Sequence, residues 1–362
     1  MRRVISIIAF ISLVWVIGCG EEKPSDLLLA RQELDTGLYS KAQIRLEQFI
    51  QKQPQNLEAQ CLLTAAYNRQ GKTQNLEALA GKLREVGKPA MDKLVSIMYE
   101  TNMAEDMAET LVLAGEQAVD PVVSILGDPN ESIRENAVLI LTKIGIPAVK
   151  RLTEALESPD TFARVGAVKA LGNIGDKTAM EPLKKRLEDG SPHVKIEAAS
   201  ALYKLGDKSH VGVIADGLII DLISARRAAA AAMENVVEEP PLGPVLKATN
   251  DADTQVKASA IQALGKIKSA QSIDPLMEAM RSKNDVIRNA AAEGLKKAGE
   301  LAVMPLVKLV GYEKDEGTLY RAVQILGDIG DKRAVEALEK VYSEDSRPLV
   351  KQEAAKALNK IE

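Results

Sequence analysis

One column of alanines governs what this chain can become. Ala137, Ala167, Ala198, Ala229, Ala260, Ala291, Ala322 and Ala354 recur at spacings of 30 to 32 residues, most of them 31. Four residues later stand Leu141, Leu171, Leu202, Met233, Leu264, Leu295, Leu326 and Leu358. A spacing of four puts each pair on one face of a helix. A position that is always small beside one that is always large is what close stacking of like helices requires. The register predicts a row of near-equal helical units along most of the chain.

Further columns complete each unit. A turn follows the alanine helix, often with glycine, as in Gly145, Gly175-Asp176, Gly206-Asp207, Gly299-Glu300 and Gly330-Asp331. A second helix then opens, with Pro121, Pro182, Pro244, Pro275 and Pro305 at one equivalent position. Proline is tolerated in a first helical turn, where its missing N–H has no intrahelical partner. Each unit is therefore a helical hairpin. Three residues before the alanine comes a basic residue, Arg134, Arg164, Lys195, Arg226, Lys257, Arg288 and Lys351, with Leu319 as the exception. In three units an acid, Asp128, Asp189 or Asp251, stands six residues before the basic position.

This set of columns, with Ala170-Leu171-Gly172-Asn173-Ile174-Gly175-Asp176 as its clearest stretch, resembles the HEAT repeat in the shorter variety also found in bilin lyases. The resemblance implies an all-α, right-handed α-solenoid, with about eight HEAT-like repeats over residues 87–362. It also implies that Asp128, Arg134, Arg164, Asp189, Lys195, Arg226, Asp251, Lys257 and Arg288 form a structural ladder knitting adjacent loops, broken at Leu319. Gly172 to Gly175 reads as turn chemistry.

Such a solenoid leaves an extended concave face, expected to be lined by the second helices. Two residues past the apolar anchor of each second helix, one column reads Ser124, Glu154, Lys185, Asp216, Lys247, Glu278, Lys308 and Lys340. A helical position with no apolar member faces solvent. Lys185, Lys247, Lys308 and Lys340 are the candidate surface for an acidic partner. The unit at 223–253 is unusual, with the Ala228–Ala232 run and Glu238-Glu239-Pro240-Pro241, and is read as a place where the row flexes or bends, or as drift in a tolerant repeat.

The first residues read as an address. Arg2 and Arg3 precede an uncharged apolar run, Val4 to Ile17, of signal-peptide length and too short to span a bilayer. The run ends in Val16-Ile17-Gly18-Cys19, which resembles the lipobox of bacterial lipoproteins. That resemblance implies removal of residues 1–18, lipid on Cys19, a short tether over 19–26, and anchorage to a bacterial membrane on its periplasmic or outer side. An ordinary signal-peptidase site and an uncleaved anchor are the other readings of the same run. Cys61, in an apolar run with Leu62 and Leu63, is then the remaining thiol and is read as a buried small hydrophobe. Residues 27–86 read as four helices. Gly37 and Gly71 lie one tetratricopeptide period apart, and the pattern resembles a degenerate tetratricopeptide pair that lacks the usual Trp.

Composition limits the chemistry. The chain has 47 basic and 51 acidic residues, two His and two Cys among 362. A net negative charge offers no global field for nucleic acid phosphates, and two His with two Cys are too few for a Cys/His zinc site. His193 and His210 fall in one repeat but each precedes Val, not the Glu that di-iron hydroxylases of this repeat type need. Phosphate loops, dinucleotide turns, calcium loops and Ser-His-Asp arrangements do not appear. Eleven aromatics, two of them in the leader, argue against carbohydrate stacking and small-molecule pockets. The expectation is a non-enzymatic, membrane-anchored scaffold without cofactor or metal that docks an envelope protein or peptide. A lyase-like or enzyme-associated HEAT protein is the alternative.

Overall fold

All eight alanines of the column have 0% of their surface exposed. The leucine column is equally buried from Leu141 to Leu326, and only the terminal Leu358 is half-exposed. The computed structural model describes residues 25–100, 102–236, 240–267 and 269–361. The leader, the lipobox with Cys19, most of the tether and Glu238-Glu239 lie outside the described residues. Every regular element among the described residues is helical. The chain divides into two compact units at 122/123, so the helices Lys88–Glu100 and Ala104–Ala114 group with the first.

In the first unit, the segment read as four helices forms Asp26–Asp35, Tyr39–Lys52, Leu57–Arg69 and Thr73–Val86. Ser25 and Asn56 cap the first and third through side-chain oxygens. Buried carboxylates tie the helices together. Arg45 forks onto Glu33 at 3.0 and 2.9 Å, and Arg69 Nε donates to Asp106 at 2.8 Å. The Arg45 hydrogen bond, against the cost of burial, holds Glu33 below the usual carboxylate range. Cys61 is buried, and desolvation pushes its thiol up to about 12.

The second unit repeats one hairpin. Long alanine helices, among them Glu131–Ile144, Thr161–Ile174, Pro192–Lys204, Ile223–Glu234, Thr254–Leu264, Asp285–Ala298, Glu316–Ile329 and Pro348–Ile361, each pack on the next along their lengths. Shorter second helices, such as Val149–Ala155, Met180–Lys185, Val211–Gly217 and Leu242–Ala248, touch their counterparts sparsely. One apolar cluster runs without interruption from Ile196 to Ile361.

Local chemistry explains the turns. Gly175 and Gly330 close their helices in the left-handed conformation, at φ +82° and +74°. The Asp that follows accepts a backbone N–H two residues on and opens the next turn, as Asp176 does for Thr178 at 2.8 Å. Asp160, Asp253, Asn284 and Asp315 cap the alanine helices in the same manner. The prolines do sit early in Met180–Lys185, Leu242–Ala248 and Ile273–Ala279. Pro305 is an exception, inside Glu300–Val310, because there the turn before the helix has itself become α-helical.

Gly172 departs from the sequence reading. It is helical, not part of a turn, and a Cβ built on it would lie 2.7 Å from the Ala201 Cβ of the next helix. Gly327 meets Ala357 at 2.6 Å in the same way, and a Cβ on Gly265 would fall 2.2 Å from the Cα of Gly294. The alanine column fills the core, while these glycines set the closest approach of neighbouring helices. Where the repeat at 223–253 lacks a terminal glycine, Lys266 of the next repeat supplies the cap. Its Nζ donates to the carbonyls of Val236, Met233 and Glu234, and burial lowers its pKa.

Candidate protein-docking surface

The basic column does more within a repeat than between repeats. Arg164 Nη1 donates to the carbonyls of Ser158 and Pro159 at 2.9 and 3.2 Å, latching the loop that enters its own helix. Arg134 holds Asp128 and Pro129, Arg226 holds Ile220 and Asp221, and Arg288 holds Ser282. Links to the next repeat occur at Arg164, which forks onto Asp189 at 2.9 and 3.0 Å, and at Arg226, 2.8 Å from Asp251. Lys195 and Lys257 are half-buried and make no ion pair with a described residue. The sequence accounts for this: the acid position reads Ser158, Asp189, Ile220, Asp251, Ser282, so it is filled only in alternate repeats. At Glu313 the acid is present, but Arg281 binds it at 2.8 Å. Burial alone would raise the Asp189 pKa; hydrogen bonds from Arg164 and the Ser191 N–H overcome it and hold the carboxyl low.

The lysine column stands where periodicity placed it. The anchors Val122, Leu152, Leu183, Ile214, Val245, Leu276, Leu306 and Leu338 are all fully buried. Two residues on is a rotation of about 200°, which turns the next position straight outward. Every member of that column is exposed, including Lys185, Lys247, Lys308 and Lys340, and these four lysines have no ion-pair partner among the described residues. The acids Glu154, Asp216 and Glu278 are interleaved with them, so the column is a row of alternating sign rather than a positive stripe. It lies on the second helices, the sparsely touching row.

The alanine helices carry an apolar groove that the sequence reading missed. Its walls include Val138, Leu139, Phe162, Val165, Lys169 and His193, around a cavity of about 330 Å³. Leu139 is 49% and Phe162 48% exposed, within one groove, and the Arg134 guanidinium lies 4.2 Å from the Phe162 ring centroid. At one end Glu197 is 3.3 Å from Lys169 and 3.5 Å from His193. Burial works against the Glu197 charge, and the His193 and Lys169 interactions still hold its pKa low. The signal available in the sequence was Leu139, at a column that is polar or alanine in the other repeats, beside one phenylalanine near the start of the next helix, at a column that also holds Val286 and Leu349.

His210 sits elsewhere, 3.7 Å from Asp207, so the two histidines are not brought together. Among the described residues no group of three or more His, Cys, Asp or Glu could hold a metal, and no helix is long and apolar enough to cross a membrane.

Stacked hairpins with a shared alanine seam define the class of α-helical repeat proteins. Residues 149–234, 221–296, 239–316 and 298–359 match HEAT repeats, together more than half of the chain, and the chain belongs to the HEAT-repeat family. Over 83 residues it is 35% identical to the phycocyanobilin lyase subunit alpha of Picosynechococcus sp., covering 21% of this chain and 31% of that protein. The chain thus spans about a third of the length of the curated relative it matches. An engineered protein of known structure aligns over 80% of this chain and 95% of its own, at 20% identity and a TM-score of 0.42. Human deoxyhypusine hydroxylase in complex with glycerol aligns over 68% and 96%, at 19% identity and a TM-score of 0.30. The two structural likenesses are too distant to add to the family assignment.

Proposed function

We propose that this protein is a non-catalytic docking scaffold, tethered to a bacterial membrane by lipid on Cys19, that holds a protein or peptide of the cell envelope on its HEAT repeats. The observation that carries the docking reading is the groove between the helices Glu131–Ile144 and Thr161–Ile174, where Leu139 and Phe162 stand open to solvent. A soluble protein gains nothing by exposing such side chains side by side unless something covers them. The occupant is a peptide or helix that inserts an apolar side chain between them. The helices of residues 27–86 form, in this reading, a tetratricopeptide-like second docking site. The apolar run before Cys19 supports the anchor.

The test pairs two variants. Leu139→Asp with Phe162→Asp abolishes binding of a partner recovered by crosslinking from the native envelope, with the thermal midpoint unchanged. Retained binding refutes the groove. Cys19→Ala moves the protein from the membrane to the soluble fraction, and persistence on the membrane refutes lipidation.

A second reading draws support from the similarity to the lyase subunit: a HEAT protein with lyase-like or enzyme-associated activity. It predicts bound pigment in protein purified from the native organism, visible as absorption beyond the aromatic band. A colourless protein that binds no bilin counts against it.

A further inference from the structure

The alanine row carries a second hollow, at the helices Thr254–Leu264 and Asp285–Ala298, that shares no residue with the groove at Leu139 and Phe162. Its volume is about 680 Å³, and Ala258, Ala290 and Val286 give it apolar walls. Val286 is 60% exposed. At the rim stand the exposed carboxylates of Glu234 and Glu293, neither of which has an ion-pair partner among the described residues. Glu234 accepts only from the Ser259 hydroxyl, at 3.4 Å. The cations of the adjoining helices are engaged elsewhere: Arg227 on Asp253 at 2.7 Å, Lys296 on Asp328 at 3.2 Å, Arg321 on Asn289 at 3.1 Å, and Lys266 on the carbonyls it caps. Arg288 is held by Asp285 and the Ser282 carbonyl, and Lys297, one turn past Glu293, makes no ion pair with it.

The register of the row fixes how these groups line up. The close approaches of Gly172 to Ala201, Gly265 to Gly294 and Gly327 to Ala357 each set a residue five past one column alanine level with a residue three past the next. On that register Glu234, Gln262 and Glu293, from three successive helices, stand within one residue rise, about 1.5 Å, of a line square to the helix axes. The two carboxylates are two helix spacings apart, about 16–20 Å. The Gln262 amide lies between them, and its side chain has no hydrogen-bond partner among the described residues.

We propose that this line is the track of an extended peptide segment that crosses the alanine helices, with one basic side chain on Glu234, a second on Glu293, and an apolar side chain between them in the hollow. An extended chain advances about 3.3 Å per residue, so the two basic residues stand five or six positions apart. The Gln262 amide offers the crossing backbone both a donor and an acceptor. The apolar walls and the exposed Val286 call for a carbon side chain midway, which a simple cation lacks. This site lies beyond the groove of the proposed function and stands or falls without it.

The experiment titrates the detergent-solubilised full chain into a fluorescein-labelled peptide with the core Arg-Ser-Ser-Leu-Ser-Ser-Arg and reads anisotropy. Saturable binding is expected at about 50 mM salt and is weakened at about 500 mM, because both ion pairs are exposed. Glu234→Gln and Glu293→Gln each raise the Kd about two- to fivefold, and E234Q/E293Q about tenfold, with the thermal midpoint unchanged. Bringing the two arginines to adjacent positions in the peptide weakens binding as much as one of the single variants does. Leu139→Asp, which disables the other groove, leaves the Kd unchanged. With photo-leucine at its centre, the peptide crosslinks to the helices Thr254–Leu264 and Asp285–Ala298. Absence of saturable binding overturns the proposal, as does a Kd indifferent to E234Q/E293Q. Loss of binding in Leu139→Asp would place the peptide in the other groove and overturn it too. Spermine, which has the charge without the apolar side chain, is expected to compete poorly, and competition as strong as that of unlabelled peptide would make this a polyamine site and overturn the peptide assignment.

Discussion

The two helix rows of the second unit obey different rules. On the alanine row, each helix lies against the next along its length, and glycine or alanine marks the closest points. On the second row, helices are short, touch sparsely, and vary freely in charge at the outward position. The alanine row therefore fixes the stack, and surface variation is left to positions that turn away from it. The groove at Leu139 and Phe162 shows where the first row also departs from pure packing.

Substitutions at packed and outward positions are expected to separate sharply. Gly265→Val, whose first added carbon would fall 2.2 Å from Gly294 Cα, is expected to cost about 3 kcal/mol, read as a fall in the urea midpoint. Asp189→Ala comes next. It strands a mostly buried Arg164 guanidinium and is expected to cost about 1–3 kcal/mol, whereas Lys195→Ala, at a position with no acid opposite, costs less than about 0.5. Equal losses at the two positions would erase the alternation seen between repeats.

Acid probes the same pair. Asp189, Asp328 and Glu313 all have folded pKa values below their ordinary ones, because partner hydrogen bonds outweigh burial. The unfolded chain then binds more protons, so their contribution is present above the unfolded carboxyl pKa, about 4, and is lost as pH falls through the lowered folded values. Stability measured from pH 6 downward is expected to fall below about pH 4, and Asp189→Asn to flatten part of that fall. The smallest effect belongs to the outward column: Lys185→Glu, Lys247→Glu and Lys308→Glu are expected to shift monomer stability by less than about 0.5 kcal/mol each.

Legibility in the sequence followed the same division. The alanine and leucine columns, the early prolines and the glycine-aspartate turns could be read because packing repeats them at fixed spacing. Gly172 was misread, since a glycine near a helix end satisfies both turn chemistry and close approach, and only the neighbouring Ala201 decides between them. The Arg134 to Arg288 column was identified, but its principal partners are loop carbonyls, which leave no mark on side-chain patterns. The alternation of Asp189 and Asp251 with Ser158, Ile220 and Ser282 was the available sign that inter-repeat pairing is not continuous. The groove could not be read from columns, because the large apolar Leu139 is peculiar to its own repeat and the Phe162 column also carries Val286 and Leu349 elsewhere, with no counterpart of Leu139 beside them.

In the proposed function, the groove on the alanine row receives a partner, while the packed face of the same helices is structural. Site-specific photo-crosslinking in the native envelope addresses it most directly. A photoreactive residue at position 162 is expected to give one discrete adduct, lost when Leu139 becomes Asp, whereas a probe at the buried position 167 gives none. The same adducts from both positions, or none from position 162, would contradict the account.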